Sequence, residues 1–407
     1  MLVTLAPMFD KEMKVSAYSL LAQKDNYFLN PELTGIERHA QATKIVGAEV
    51  LREIDIETLS PDTDLFLPLS KIALFKDIAS LCDVPHERMV LLVEDEIPAD
   101  EAYIGRLMEL KKLGYKLALK NLPVTSYIDH ASVIRLLDYV FLDSTQMDVK
   151  KAKIFFEKSY PKLKLVISNI VSEEYFELIK NEKPFVLFEG PFYRVPVTKG
   201  EHEVTPLKAT YLQLLNVVND DDFELTQAAD IIGRDAALTI SFLKMAGSQL
   251  GGSEISSIRH ATAILGQKEL KKWINAVVTK ELCADRPSEV MRVSMLRARF
   301  AEELAPTFEM ATSTQELFLV GLFSILDQIL QCPMAEALEK VKVSKEIKDA
   351  LVDRKGRFAN VLDFILNYEA GNWQAVSRLM IVENLDMDEI YKAYVNSLRW
   401  FSELIRK

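Results

Sequence analysis

Cysteine and histidine are both scarce in this chain, and each shortage narrows the chemistry open to it. The three cysteines, Cys82, Cys283 and Cys332, lie too far apart for a paired metal motif and are too few for a disulfide framework. A reducing cytoplasm is therefore the expected compartment. The five histidines, His39, His86, His130, His202 and His260, are scattered through the sequence, and no metal or cofactor is expected from them. Positive charge is not in excess either. The net charge of −11 argues against a general binder of phosphate backbones, so no nucleic-acid partner is expected. The most apolar stretch, Leu317 to Leu330, is too short to span a bilayer and contains Asp327. It reads as a buried helix, with no membrane insertion. The opening residues, MLVTLAPMFDKEMK, lack the basic-then-apolar order of a signal peptide.

What is present is an ordinary soluble balance, 49% hydrophobic and 27% charged, in 407 residues. That length suggests two or three domains with ample core. From Val3 to about Pro196, short apolar runs alternate with amphipathic stretches. LVTLAPMF, DTDLFLPLS, MVLLVED, YKLALKN, DYVFLDS, LKLVISN and PFVLFEG read as strands. IERHAQATKIVGAEVLREI, ADEAYIGRLMELKKLG and SEEYFELIKNE read as helices. Repeated alternation implies a parallel sheet, and this many units favours a closed (β/α) barrel, with an open doubly wound sheet also compatible with the pattern. A polar stretch, VTKGEHEVT, then marks a junction, giving expected domains of 1–197 and 206–407 joined through 198–205. Beyond it the apolar spacing is helical to the end of the chain, so the expected fold class is α/β followed by all-α.

The clearest punctuation in the second half runs from Ala228 to Ile274. Gly233 closes one helix, Asp235 caps AALTISFLKMA, and Gly247 ends it. Ser256 and Ser257 are candidate caps for a helix stopped at Gly266. The next helix carries Leu270, Trp273, Ile274, Val277 and Val278 as one apolar stripe. With IIGRDAALTISFLKMAGS and ISSIRHATAILG, this order resembles the HDOD domain, a helical signalling module related in fold to HD phosphohydrolases. Ala236 and Gly247 stand where the family usually has proline and asparagine. FLVGLFSILDQIL is similar to the segment where HD hydrolases carry their His-Asp pair, but here Ser324 and Ile325 stand there. His260 reads as a partly buried core or rim residue, and the Lys268–Lys272 cluster as a solvated face.

The first half is similar to the EAL domain, a (β/α) barrel whose active members hydrolyse cyclic di-GMP with divalent metals. APMFDKEMKVSAYSLLAQ looks like the family's opening segment, and FEGPFYRVP looks like its closing motif, with Glu189 in place of glutamine. The resemblance carries scaffold rather than chemistry. The motif glutamate falls at Ser19 and the ligand asparagine of the next strand at Pro68. The paired aspartates fall at Lys120 and Asn121, and the catalytic-site lysine at Phe141, with Asp143 kept. Two later glutamates fall at Ser168 and Val171. The ligand glutamate of LLVEDE aligns with Leu91, Val93 or Glu94.

A two-metal phosphodiesterase needs hard oxygen ligands at strand ends. With these replacements no catalytic residue and no metal are expected. Lys120 is expected either to pair with Asp143 or Glu94 as a structural ion pair or, with Phe141, to touch a ligand. Cyclic di-GMP binding is disfavoured because Gln23 stands at the family's arginine position and Ala6 at its opening glutamine. The expected function is a non-catalytic bacterial signalling scaffold acting through protein partners. A receptor that binds cyclic di-GMP without cleaving it is the alternative, and residual hydrolysis through Asp143 and Glu94 a third reading. A barrel-mediated homodimer is implied by the EAL resemblance alone.

Overall fold

The structure is a computed structural model that describes residues 1–26, 28, 45–82, 84–94, 96–198, 206–220, 222–233, 238–240, 242–243, 246 and 257–406. Their contacts group into two compact units. One comprises Met1–Val195, Glu303–Thr312 and Asp363–Arg399; the other comprises Pro196–Glu302, Ser313–Leu362 and Trp400–Lys407. The packing thus gathers with the barrel two stretches that follow it by more than a hundred residues.

The first unit is built on a closed barrel of eight strands. In chain order these are β1 (Leu2–Phe9), β2 (Val15–Gln23), β3 (Asp64–Leu69), β4 (Met89–Val93), β5 (Lys116–Leu119), β6 (Tyr139–Asp143), β7 (Lys164–Ser168) and β8 (Phe185–Glu189). Seven of these are the expected apolar runs, and the closed barrel excludes the open sheet. The eighth, β2, lies within the opening segment VSAYSLLAQ. β1 runs antiparallel to both its neighbours, β2 and β8, while β2 through β8 are mutually parallel. The β1–β2 turn is held by Asp10, whose carboxylate accepts from the backbone N–H groups of Glu12 and Lys14 and from the Ser16 hydroxyl.

Side chains alternate in and out along each strand. The inward set Met8, Ala17, Phe66, Val90, Leu92, Ala118, Tyr139, Phe141, Val166 and Leu187 fills the barrel. At its lower end Lys116 bridges both oxygens of Asp64 at 2.8 and 2.7 Å. The helices between strands begin where short polar side chains can cap them. Asp100 accepts from Tyr103 N at the start of Glu101–Lys112, and Ser172 does so from Tyr175 N at Glu173–Ile179. A helix at Val149–Ser159, absent from the expected set, is capped by Asp148. Of the helix expected over IERHAQATKIVGAEVLREI, Val46–Glu53 is helical, while residues 36–44 lie outside the described residues.

The second unit is helical. Leu225–Ile232 ends at Gly233 as expected. Ser257 accepts from His260 N to cap Ile258–Leu282, and the backbone breaks at Gly266, where φ is 77°. Asp235, Gly247 and Ser256 lie outside the described residues. Helix Ser288–Leu304 passes so close to Thr314–Phe323 that a Cβ on Gly321 would meet the Arg297 carbonyl oxygen at 2.2 Å. No helix among the described residues is long and apolar enough to cross a membrane.

Candidate functional site

Strand alternation brings most of the singled-out positions to one ring. Ser19 shares inward parity with Ala17, Pro68 with Phe66, Lys120 with Ala118, Asp143 with Phe141, Ser168 with Val166 and Glu189 with Leu187. Ser19 lies mid-strand in β2, whereas the others lie at or next to the C-terminal ends of their strands, the end at which such barrels carry their sites. The same parity discriminates among the three glutamate alignments. Leu91 and Val93 have outward parity and are buried, whereas Glu94 follows Leu92 in register at the mouth and is exposed. Val171 is not brought to the ring; it lies beyond β7, 63% exposed.

Lys120 is the cation among these positions. Its ammonium lies 3.7 Å from Glu189 Oε2 and 5.4 Å from the Phe141 ring centroid. The expected partners were Asp143 or Glu94, so the nearest carboxylate is a different one. The reason is local: Asp143 is already engaged. Its Oδ1 accepts from Thr145 N at 2.8 Å and Thr145 Oγ1 at 2.6 Å, and its Oδ2 from Asn169 Nδ2 at 2.8 Å. Burial alone would raise the Asp143 pKa, but these hydrogen bonds and the Lys120 charge bring it below its ordinary value.

Thr145 and Asn169 are the site residues that sequence reasoning missed. Asn121 and Asn169 each follow a strand end at positive φ, 59° and 60°, a conformation asparagine tolerates. Asn121 Nδ2 donates to the Glu94 carbonyl oxygen at 3.1 Å. An asparagine one residue past an apolar run was therefore the available signal for Asn169.

Beside Lys120 lies a cavity of about 310 Å³, lined among others by Phe141, Asp143, Gln146, Met147 and Ser168. Ser168 Oγ and Glu189 Oε2 are buried without a hydrogen-bond partner. The residues present do not fit a pair of divalent cations. Pro68 and Phe141 offer no side-chain oxygen, the Asp143 oxygens are taken, and an ammonium faces Glu189. Among the described residues no three His, Cys, Asp or Glu side chains group as a metal site.

In the helical unit, Ser324 and Ile325 occupy the break between Thr314–Phe323 and Leu326–Leu330. Arg297 Nη1 donates to Ser324 Oγ at 3.0 Å, and the buried Asp327 accepts from Val197 N at 3.0 Å. Burial raises the Asp327 pKa despite that bond. His260 is exposed rather than partly buried, because it sits in the first turn of its helix, facing outward. Lys272 pairs with Glu302 at 2.6 Å.

Residues 204–357 match the HDOD domain. The chain thus carries, after a closed eight-stranded barrel, a region that matches the HDOD domain. The barrel superposes on the crystal structure of an EAL domain protein from Listeria monocytogenes over 47% of this chain and 86% of that one, with a TM-score of 0.36 and 16% identity. Over 411 residues the chain is 26% identical to YuxH of Bacillus subtilis, covering 98% of this chain and 97% of YuxH. It is 24% identical over 332 residues to the cyclic di-GMP phosphodiesterase CdgJ of Vibrio cholerae, covering 79% of this chain and 75% of CdgJ.

Proposed function

We propose that this protein is a non-catalytic signalling regulator that acts through protein contacts, its barrel descended from a cyclic di-GMP phosphodiesterase scaffold. The observation that carries this reading is the mouth chemistry: a lysine ammonium against Glu189, with proline where the resemblance places an asparagine ligand and phenylalanine where it places a lysine. Metal-assisted hydrolysis polarises a phosphodiester and activates water through hard oxygen ligands, and this ring supplies too few free ones. Three free, buried cysteines accord with a reducing cytoplasm as the compartment.

A second reading, a receptor that binds cyclic di-GMP without cleaving it, draws on the cavity beside Lys120 and Phe141, where an ammonium and an aromatic face could meet a phosphate and a base. Calorimetric titration of cyclic di-GMP, with and without magnesium, separates the two. The leading reading expects no heat and no thermal shift. Micromolar binding would transfer the function to the receptor reading, and appearance of linear product would contradict both.

A further inference from the structure

The outer edge of β1 is covered by a part of the chain that follows it by more than three hundred and fifty residues. β1 pairs with β2 along Leu2–Phe9 but with β8 only at Met8 and Phe9. Because β2 runs parallel to β3, the Leu2–Leu5 end of this ribbon stands on the mouth side of the barrel, past the end of β8. An open strand edge leaves backbone groups that need partners.

Residues 363–399 of the same unit supply one such partner and several side-chain contacts around it. Val3 N donates to the hydroxyl of Tyr368, a side chain with no exposure, at 3.1 Å. The hydroxyls of Thr4 and Tyr394 lie 3.3 Å apart. Gln23 Nε2 donates to Ser377 Oγ, and Asn26 Nδ2 to the Ser377 carbonyl oxygen. Gly371 stands so close to Leu21 that a Cβ there would lie 2.8 Å from Leu21 Cδ1. On the other flank, Glu369 accepts from Arg194 just beyond β8, at 2.8 Å. Tyr368 packs on Tyr394 and Trp373 with ring centroids 5.1 and 5.4 Å apart.

We propose that residues 363–399 are a strap belonging to the barrel unit, which seals the open edge of β1 and positions the end of β8. A route to the mouth follows from contacts alone: Tyr368 and Tyr394 hold Val3 and Thr4, β1 pairs Met8 with Glu189, and Glu189 faces Lys120. Coupling along such a route is a matter for measurement.

Hydrogen exchange on the full chain, comparing wild type with Tyr368→Phe and Tyr368→Ala, is that measurement. Tyr368→Phe removes only the hydroxyl, and about tenfold faster exchange is expected at Val3 and its β1–β2 neighbours. Tyr368→Ala should extend the effect to Phe188–Arg194 while leaving Thr314–Phe323 unchanged. Acceleration confined to 363–399, or spread equally to Thr314–Phe323, would overturn the proposal. If the alanine variant fails to fold, the phenylalanine variant decides alone: unchanged exchange in β1 would contradict the strap.

Discussion

At the barrel mouth a lysine stands where the EAL resemblance places an aspartate, and its neighbours are arranged around that charge. Glu189 turns to Lys120, while Asp143 is held by Thr145 and Asn169. The 3.7 Å separation is longer than a charge-assisted hydrogen bond, so the pair contributes modestly. Lys120→Met is expected to cost about 1 kcal/mol in urea melts, and a double-mutant cycle with Glu189→Gln should return a positive coupling energy. Asp143 sets a pH dependence with a definite sign. Its carboxyl is held below its ordinary value near 3.8, so the stability it contributes is complete above that value. That stability is lost as pH falls through the lower, folded value. Asp143→Asn should therefore flatten the acid limb of the stability curve below about pH 4. Melts repeated across that range would test it.

At the scale of elements, the turn after β8 shows why the closing motif needs its glycine. Gly190 has φ 148°, and a Cβ there would lie 2.1 Å from the Ile170 carbonyl oxygen, itself just past β7. The obstacle is backbone, which cannot swing away. Gly190→Ala should destabilise the barrel by about 2–4 kcal/mol, visible as a lowered thermal midpoint. The strands were legible because each is a short apolar run bounded by polar or turn residues. β2 was less so, since VSAYSLLAQ interleaves serines, tyrosine and glutamine with its apolar positions. The helix Val149–Ser159 was hidden by its lysine-rich opening, VKKAKIFFEKS, whose apolar face emerges only in contact: Phe156 is buried against Tyr127.

At the scale of the whole molecule, what the sequence left unread is membership rather than type. Helical periodicity marked the segments around Tyr368 and Tyr394 as helices, but nothing local states that they serve the barrel. The informative contact, Val3 with Tyr368, spans 365 positions. At the mouth, the residue types of Lys120, Pro68 and Phe141 and their inward parity were readable from the strand pattern. The partner Lys120 takes was not, since it depends on Asn169 and Thr145 claiming Asp143 first. The central claim, that this mouth no longer supports metal-assisted hydrolysis, is tested most directly by incubating the full chain with cyclic di-GMP and manganese and following linear product over time. No product above the protein-free control is expected. Product that accumulates with protein concentration and disappears with a chelator would contradict the account.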